Sequence, residues 1–232
     1  MPKKEKVQEM FDNIAPTYDT LNHVLSMNVD KLWRRHALKE IVDGTPQRIL
    51  DVACGTGDST ISITKAAGEG SEVTGVDISE GMMALVQGKA EKAGVAGRID
   101  LAVADGEALP YADGTFDRVT CAFGIRNFEH KEQGLSEFRR VLKPGGKVVI
   151  LELSVPQNRV VRWAYDLYFT HLLPAIGGVV SGDKAAYRYL PASVHRFPAP
   201  QEFCRMMELA GFTGVRCRTF TGGLCRMFVG ET

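Results

Sequence analysis

From Arg48 onward, short β-branched runs alternate with longer windows of helical periodicity. A switch between period 2 and period 3.6 at this rhythm is the mark of strand-helix units wound into a parallel sheet. The pattern predicts strands over Arg48–Ala53, Glu72–Asp77, Ile99–Asp105, Asp117–Phe123 and Lys147–Leu153. Between them it predicts a turn over Cys54–Asp58 and a helix to about Ala67, then a helix capped by Ser79 and running to about Ala93. A further helix begins near Lys131, and Pro144-Gly145-Gly146 stops it. The rhythm then breaks, because Ser154 to Pro198 intervenes before the next regular helix at Pro200–Ala210. That insertion contains VVRWAYDLYFTHLLPAIGGVV, apolar and aromatic but interrupted by Arg162, Asp166, His171 and Pro174, so it reads as an amphipathic helix and a loop. Two last β-runs, TGVRCRTF and GGLCRMFVG, flank Thr221-Gly222-Gly223 and predict a closing hairpin.

The 232 residues can bury one substantial core. Lysine plus arginine number 28 and so do aspartate plus glutamate, which leaves no net charge to condense on phosphate backbones and argues against nucleic acid as a partner. The five cysteines, Cys54, Cys121, Cys204, Cys217 and Cys225, form no C-x-x-C pair and no zinc-ligand spacing. Reduced thiols, no metal and a cytoplasmic setting are the expectation. The N-terminal MPKKEKVQEMFDNIAPTYD lacks the apolar stretch of a secretory signal, and no segment reaches about 18 uninterrupted apolar residues.

The strongest chemical signal is Leu50-Asp51-Val52-Ala53-Cys54-Gly55-Thr56-Gly57-Asp58 at the end of the first strand. Glycines there let a backbone approach a ligand at the carboxyl edge of the sheet, where open α/β proteins bind. Asp77 ends the second strand and Asp105 the third, so both carboxylates reach the same edge. An acid closing the second strand can accept both ribose hydroxyls of a nucleoside, and one after the third can accept an adenine amino proton. The turn departs from the dinucleotide spacing G-x-G-x-x-G. Asp51 would repel a pyrophosphate but suits the cationic amino group of a methionine moiety. The alternative is that Asp51, Asp77 and Asp105 only cap loops.

Over Arg48 to Leu153 this arrangement resembles the class I methyltransferases. The resemblance implies a Rossmann-like α/β fold, a mostly parallel seven-stranded sheet with helices on both faces, and S-adenosylmethionine as cofactor. It also implies that Gly55, Thr56 and Gly57 line the methionine and ribose, beside Asp51 and Ala53. Asp77 would hold the ribose, Ile78 and Met82 would lie near the adenine, Asp105 with Gly106 would bind its edge, and Ala122 would sit beneath the sulfonium. Met82 is equally read as core. The chain then divides into an N-terminal helical cap (1–45), a cofactor-binding core (46–153), a helical insertion or substrate lid (154–198) and a C-terminal helix with hairpin (199–232).

Four stretches are similar to the quinone-biosynthesis C-methyltransferases, which act on demethylmenaquinol or a polyprenyl methoxybenzoquinol. They are Phe11–Arg35 (through Tyr18, Asp19, Asn22, Ser26 and Trp33), Gly124–Gly146, Tyr187–Pro198, and AGFTGV with the following TGG. Cys54 departs from the family's A-G-G-T-G-D turn but is small enough for cofactor binding, and Leu224-Cys225-Arg226-Met227 is more basic than that family's tail. The resemblance implies C-methylation of a prenylated quinol, and the short N-terminus with Asn13-Ile14-Ala15-Pro16 leans toward demethylmenaquinol. The chemistry asks for an oxyanion beside the methyl donor, because ionising a phenol of pKa near 10 pushes electron density onto the ring carbon. Arg126 and Asn127 are expected to donate to ring oxygens. Tyr18, Asp19 and His195 are candidate proton acceptors, and Asn22, Tyr187 and His195 candidate substrate contacts. Against this, Arg126 could form a surface pair with Glu129 or Glu132, and Tyr18 could simply pack.

The Val160 to Val180 stretch could hold a prenyl tail, touch a bilayer peripherally, or be buried at a homodimer interface or against the core. Other readings are a methyltransferase for another lipid or phenol and a non-catalytic nucleoside-binding protein. The intact acids at 77 and 105 speak against the latter.

Overall fold

The computed structural model describes residues 4–26, 28–167 and 184–232, the side chains of 20–25, 164 and 184–188 excepted. Five parallel strands, β1 (Arg48–Val52), β2 (Glu72–Asp77), β3 (Ile99–Val103), β4 (Phe116–Ala122) and β5 (Leu142–Leu153), share one sheet with an antiparallel pair, β6 (Thr213–Phe220) and β7 (Cys225–Glu231). The order is β3-β2-β1-β4-β5-β7-β6, so the chain reverses direction across the sheet between β1 and β4. That switch is where open α/β sheets leave a crevice at the strand carboxyl ends.

Successive side chains of a strand point to opposite faces, and β5 shows what this does for packing. Val148 and Ile150 enter one apolar cluster and Val149 and Leu151 the other, all essentially without solvent contact. The first cluster is closed by α5 (Lys131–Val141) through Phe138 and Val141, and by α8 (Pro200–Leu209) through Phe203 and Met207. The second is closed by α2 (Val29–Ile41) through Trp33, Ala37 and Ile41, and by α3 (Asp58–Ala66) through Ile63. Both faces are dry, which is why the central strands read as continuous apolar runs.

The expected seven-stranded arrangement is observed, with differences at the edges. β1 and β4 stop one residue early because Ala53 (φ 55°) and Phe123 (φ 63°) take left-handed backbone and turn the chain out of the sheet. β3 ends at Val103, two residues short of Asp105. α5 ends at Val141, before the Pro-Gly-Gly run, because Leu142 is already extended and pairs with Phe116. The insertion carries the amphipathic helix expected of it as α6 (Arg159–Leu167), but also α7 (Lys184–Arg196), which the sequence reading did not anticipate. Pro191 sits inside α7, and a proline there argues against a helix. Part of the Val160 to Val180 stretch lies outside the described residues.

The N-terminal α1 (Lys4–Leu25) packs against α4 (Glu80–Ala93) and lies over the carboxyl edge of the sheet. Asp12 fixes the crossing: its Oδ1 accepts from Ser79 Oγ at 2.5 Å and Gly81 N–H at 3.1 Å at the start of α4. Ser79 caps that helix as expected, accepting from Met82 N–H at 3.1 Å.

Candidate active site

The turn after β1 alternates strained and permissive residues, with Ala53, Gly55 (φ 56°) and Gly57 (φ 85°) all at positive φ. At Gly57 the requirement is double, since a Cβ would also stand 2.6 Å from Val86 Cγ1 of α4. Cys54 is buried, with its sulfur packed against Gly75 of β2, so the departure at this position is absorbed by the sheet.

Asp77 leaves β2 and braces this turn. Its Oδ2 accepts from Gly55 N–H at 2.8 Å and its Oδ1 from Ser79 N–H at 2.9 Å. Burial raises its pKa despite those bonds. Asp105 accepts from Glu107 N–H at 3.0 Å and forms an ion pair with Lys4 of α1. Asp51 is the least compensated of the three. Thr60 Oγ1 donates to its Oδ2 at 2.6 Å, but its buried Oδ1 has no hydrogen-bond partner, and burial pushes the carboxyl up to about 6.

These groups face an open cleft between α1 and the strand ends. Tyr18, Ala53, Gly55, Asp77, Ile78, Met82, Asp105, Gly106, Ala122 and Asn127, all picked from the sequence, line it. Met82 is at once core and lining. Gly106 is needed for close approach, since a Cβ would meet Phe128 Cζ at 2.4 Å, and the Phe128 ring forms part of the wall. An annex of about 370 Å³ shares Tyr18, Ala53, Gly55 and Ala122 with the cleft and is also lined by Asp51, Thr56 and Arg34. Gly57 lines neither space; its part is to carry the turn.

An adenosine with a cationic amino-acid end fits this donor set. Asp77 and Asp105 stand in the cleft, and the orphaned Asp51 Oδ1 is a buried oxygen that a cation would satisfy.

Several expected roles are placed differently. Arg126 is buried and lines no part of the cleft: Nη1 meets Glu152 Oε1 at 2.8 Å and also donates to Phe123 O, and Nε reaches Ser193 Oγ at 3.3 Å. Its partner is Glu152 of β5, not Glu129 or Glu132, because the turn Ile125–Asn127 folds back on that strand and Arg126 N–H also donates to Glu152 Oε2. Burial works against the charge of Arg126, but Glu152 and then Tyr18 outweigh it and raise its pKa. Asp19 does not face the cleft; Lys89 Nζ of α4 stands 2.6 Å from its Oδ2, and Thr56 Oγ1 donates to its Oδ1. His195 is exposed on α7, 6.1 Å edge-on from Tyr165. Asn22 lies in α1 and Tyr187 in α7, and their side chains fall outside the described ones.

Asn127 does line the cleft, its Oδ1 accepting from Tyr189 Oη at 3.0 Å, which leaves the amide N–H groups as donors. Tyr18 lines both cleft and annex. The sequence reading missed Glu152, Lys89, Arg34 and the α1 lining residues Lys4, Val7 and Phe11. Only Glu152 carried a usable signal, a lone acid closing an apolar strand.

A family model described as the ubiE/COQ5 methyltransferase family matches residues 1–232. The chain is 47% identical over 229 residues to the "Ubiquinone/menaquinone biosynthesis C-methyltransferase UbiE" of Geobacter sulfurreducens, covering 99% of this chain and 89% of that one. It is 46% identical over 231 residues to the "Demethylmenaquinone methyltransferase" of Deinococcus radiodurans, covering 99% and 93%. Among solved structures the [4+2]-cyclase SpnF superposes with a TM-score of 0.72 at 21% identity, covering 96% of this chain and 78% of that one. A SAM-dependent methyltransferase from Aquifex aeolicus does so with 0.59 at 20%, covering 85% and 88%. At these identities the structures speak to fold alone, and a cyclase among them illustrates that this fold hosts more than one chemistry.

Proposed function

The chain belongs to the ubiE/COQ5 methyltransferase family, and from that premise we propose that it methylates a ring carbon of a prenylated quinol, converting demethylmenaquinol to menaquinol. The observation that carries this reading is the pair of relatives named for quinone C-methylation, alike over 99% of this chain. The demethylmenaquinol choice is supported by the Deinococcus relative's name and the Asn13–Pro16 run.

S-adenosylmethionine, when bound, supplies an electrophilic methyl group on a sulfonium. Asp77 and Asp105 would hold its adenosine, with Asp51 at its cationic end. Ala122 and Tyr18, shared by cleft and annex, would lie beside the sulfonium, between the adenosine and the cationic end. On the acceptor side the Asn127 amide would donate to a ring oxygen, held in place by Tyr189. Arg126 would act from behind this wall: fixed by Glu152, it anchors the turn that carries Asn127. The ring proton would leave to solvent water beside Tyr18, which lines the cleft, since Asp19 is held by Lys89 and His195 does not line it. The α1 roof would keep bulk water from the donor.

The prenyl tail belongs to a bilayer. No helix among the described residues is long and apolar enough to cross one. Along α6, however, Val160, Trp163 and Leu167 are 74%, 67% and 50% exposed, flanked by Arg159 and Arg162. Such a face suits peripheral contact with an anionic lipid surface.

The test is a methyl-transfer assay with purified protein, S-adenosylmethionine and chemically reduced short-tailed demethylmenaquinone, beside the methoxybenzoquinol analogue. Methylation of the naphthoquinol is expected. Cofactor binding with turnover of neither quinol would overturn the acceptor assignment.

A further inference from the structure

The C-terminal hairpin holds a cation that the cleft does not use. Arg226 of β7 is only 6% exposed, and its Nε is buried without a hydrogen-bond partner. Its Nη1 donates to the neutral Thr219 Oγ1 at 2.8 Å, and no ion pair reaches it among the described residues. Glu152, its cross-strand neighbour on β5, is closed on Arg126 instead. A buried guanidinium without a counter-charge favours any anion that forms beside it.

Two thiols stand at that guanidinium. In the antiparallel register Thr219 faces Arg226 and Cys217 faces Phe228, so Cys217, Thr219 and Arg226 share one side of the hairpin. α8 covers that side: the Phe203 ring meets Phe228 edge-on with centres 4.7 Å apart, and Cys204 is the next residue of the helix. The Cys204 and Cys217 thiols hydrogen-bond to each other, and the Arg226 guanidinium donates to the Cys217 sulfur. Cys217 is exposed and Cys204 half-buried, whereas Cys54, Cys121 and Cys225 are buried.

We propose that Cys204 and Cys217 are a peroxide-oxidisable pair that closes to a reversible disulfide between α8 and β6, Cys217 attacking and Cys204 resolving. The Cys217 thiolate, its proton given to water and its charge held by Arg226, attacks one oxygen of hydrogen peroxide. An S–O bond forms, the O–O bond breaks, and the departing hydroxide takes up a proton to leave as water. The Cys204 sulfur then displaces the oxygen of that sulfenic acid: the S–S bond forms, the S–O bond breaks, and hydroxide leaves with the Cys204 proton as a second water. Both thiols are oxidised and one peroxide is reduced to two waters; an external dithiol reverses the step. Desolvation raises both thiols, Cys204 to about 11 with Cys217 and Glu208 beside it, and Cys217 against the opposing pull of Arg226 and Cys204. The pair is therefore quiet at neutral pH and answers to a high peroxide load. Closure staples the edge strand β6 to α8 and so braces β7, the neighbour of the strand that carries Glu152. None of this depends on the cofactor or on which quinol is methylated.

The test treats the reduced full-length protein with excess hydrogen peroxide, blocks the remaining thiols with iodoacetamide and maps the peptides without reductant. A Cys204–Cys217 linkage within one chain, lighter by two hydrogens and reversed by dithiothreitol, is expected. The linked protein should melt several degrees higher, as a short closed loop implies. Cys204→Ser should stop at a sulfenic acid on Cys217, captured by dimedone, and Cys217→Ser should leave Cys204 reduced. Arg226→Met should slow the first step roughly tenfold, the usual weight of a lost opposite charge. The wild-type rate should rise about tenfold per pH unit between pH 7 and 8, since the thiolate is the attacking form; this readout stands even where the Arg226 variant does not fold. Thiols that stay reduced in the folded protein but link in the urea-unfolded chain would overturn the proposal. So would a linkage between two chains or to Cys225, a sulfenic acid on Cys204 in place of Cys217, or a rate indifferent to pH.

Discussion

The two sides of the cleft handle buried charge in opposite ways. On the cofactor side Asp51 is buried with one oxygen unsatisfied and its pKa pushed up to about 6, so the free protein bears an electrostatic cost there. On the acceptor side Arg126 and Glu152 are equally buried but compensate each other at 2.8 Å, with backbone N–H groups completing the carboxylate's bonds. A charge left open marks where a charged ligand goes; a charge closed on a partner marks where the protein needs its own geometry fixed. By this criterion the cofactor side recognises a cation, and the acceptor side is a scaffold for Asn127 and Tyr18.

The comparison breaks most visibly at Glu152. Glu152→Gln leaves Arg126 buried without its counter-charge and should cost about 3–5 kcal/mol in denaturant unfolding. The double variant Arg126→Met with Glu152→Leu, which removes both charges, should recover most of that stability while losing activity. If the single variant unfolds like the wild type, the pair is not the scaffold described here.

Removing the charge on the other side should have the opposite sign. Burial pushes the Asp51 carboxyl from its ordinary 3.8 up to about 6 in the folded protein. Between those pH values the folded protein keeps a proton that the unfolded chain has released. Stability without ligand therefore falls as pH rises through the window, by about 3 kcal/mol in all. Asp51→Asn, which can keep the Thr60 bond, should raise stability at pH 7 by about 1–3 kcal/mol and flatten the profile between pH 4 and 6. The same variant should weaken S-adenosylhomocysteine by roughly 100-fold. Wild-type affinity should climb as pH rises across that window, because an ammonium needs the ionised carboxylate. A pH-independent affinity would contradict the role given to Asp51.

The same contrast explains what the sequence disclosed. The cofactor side is built from residues near strand ends, 51–57, 77–82 and 105–106, whose convergence follows from the parallel sheet alone once the alternation of strands and helices is read. The acceptor side is assembled by tertiary contacts: Arg126 meets Glu152 across β4 and β5, Asn127 meets Tyr189 of α7, and Asp19 meets Lys89. No local spacing encodes such pairs, so Arg126 and Asp19 could be singled out by their neighbours in sequence but not given their partners. The helix α7 was hidden for a local reason, since Pro191 contradicts its own surroundings.

A smaller effect is expected at Gly57, where the cofactor side depends on backbone shape. Gly57→Ala should cost about 2 kcal/mol, since its φ of 85° disfavours a side chain and a Cβ would press on Val86 at 2.6 Å. Adding Val86→Ala should return the contact part and leave the backbone part. Full recovery would show that space alone, not φ, demands the glycine.

The smallest effect tests what joins the two sides, the α1 roof. Lys89 Nζ lies 2.6 Å from Asp19 of α1 and 2.5 Å from Asp58 at the start of α3, with all three side chains about a quarter to a third exposed. Solvent screening at that exposure limits the cluster to about 0.5–1 kcal/mol. Lys89→Met should therefore leave the unfolding midpoint nearly unchanged while loosening one helix. Opening of α1 is read by limited chymotrypsin cleavage at Phe11 and Tyr18, which tracks the population of the open form. A loss of that size should speed cleavage roughly two- to five-fold. S-adenosylhomocysteine should slow it in both proteins, because Phe11 and Tyr18 line the space the ligand fills. Equal cleavage rates without ligand would mean that Asp12, bonded to Ser79 and Gly81, holds the helix unaided. In that case Asp12→Ala, not Lys89→Met, should be the variant that exposes Tyr18.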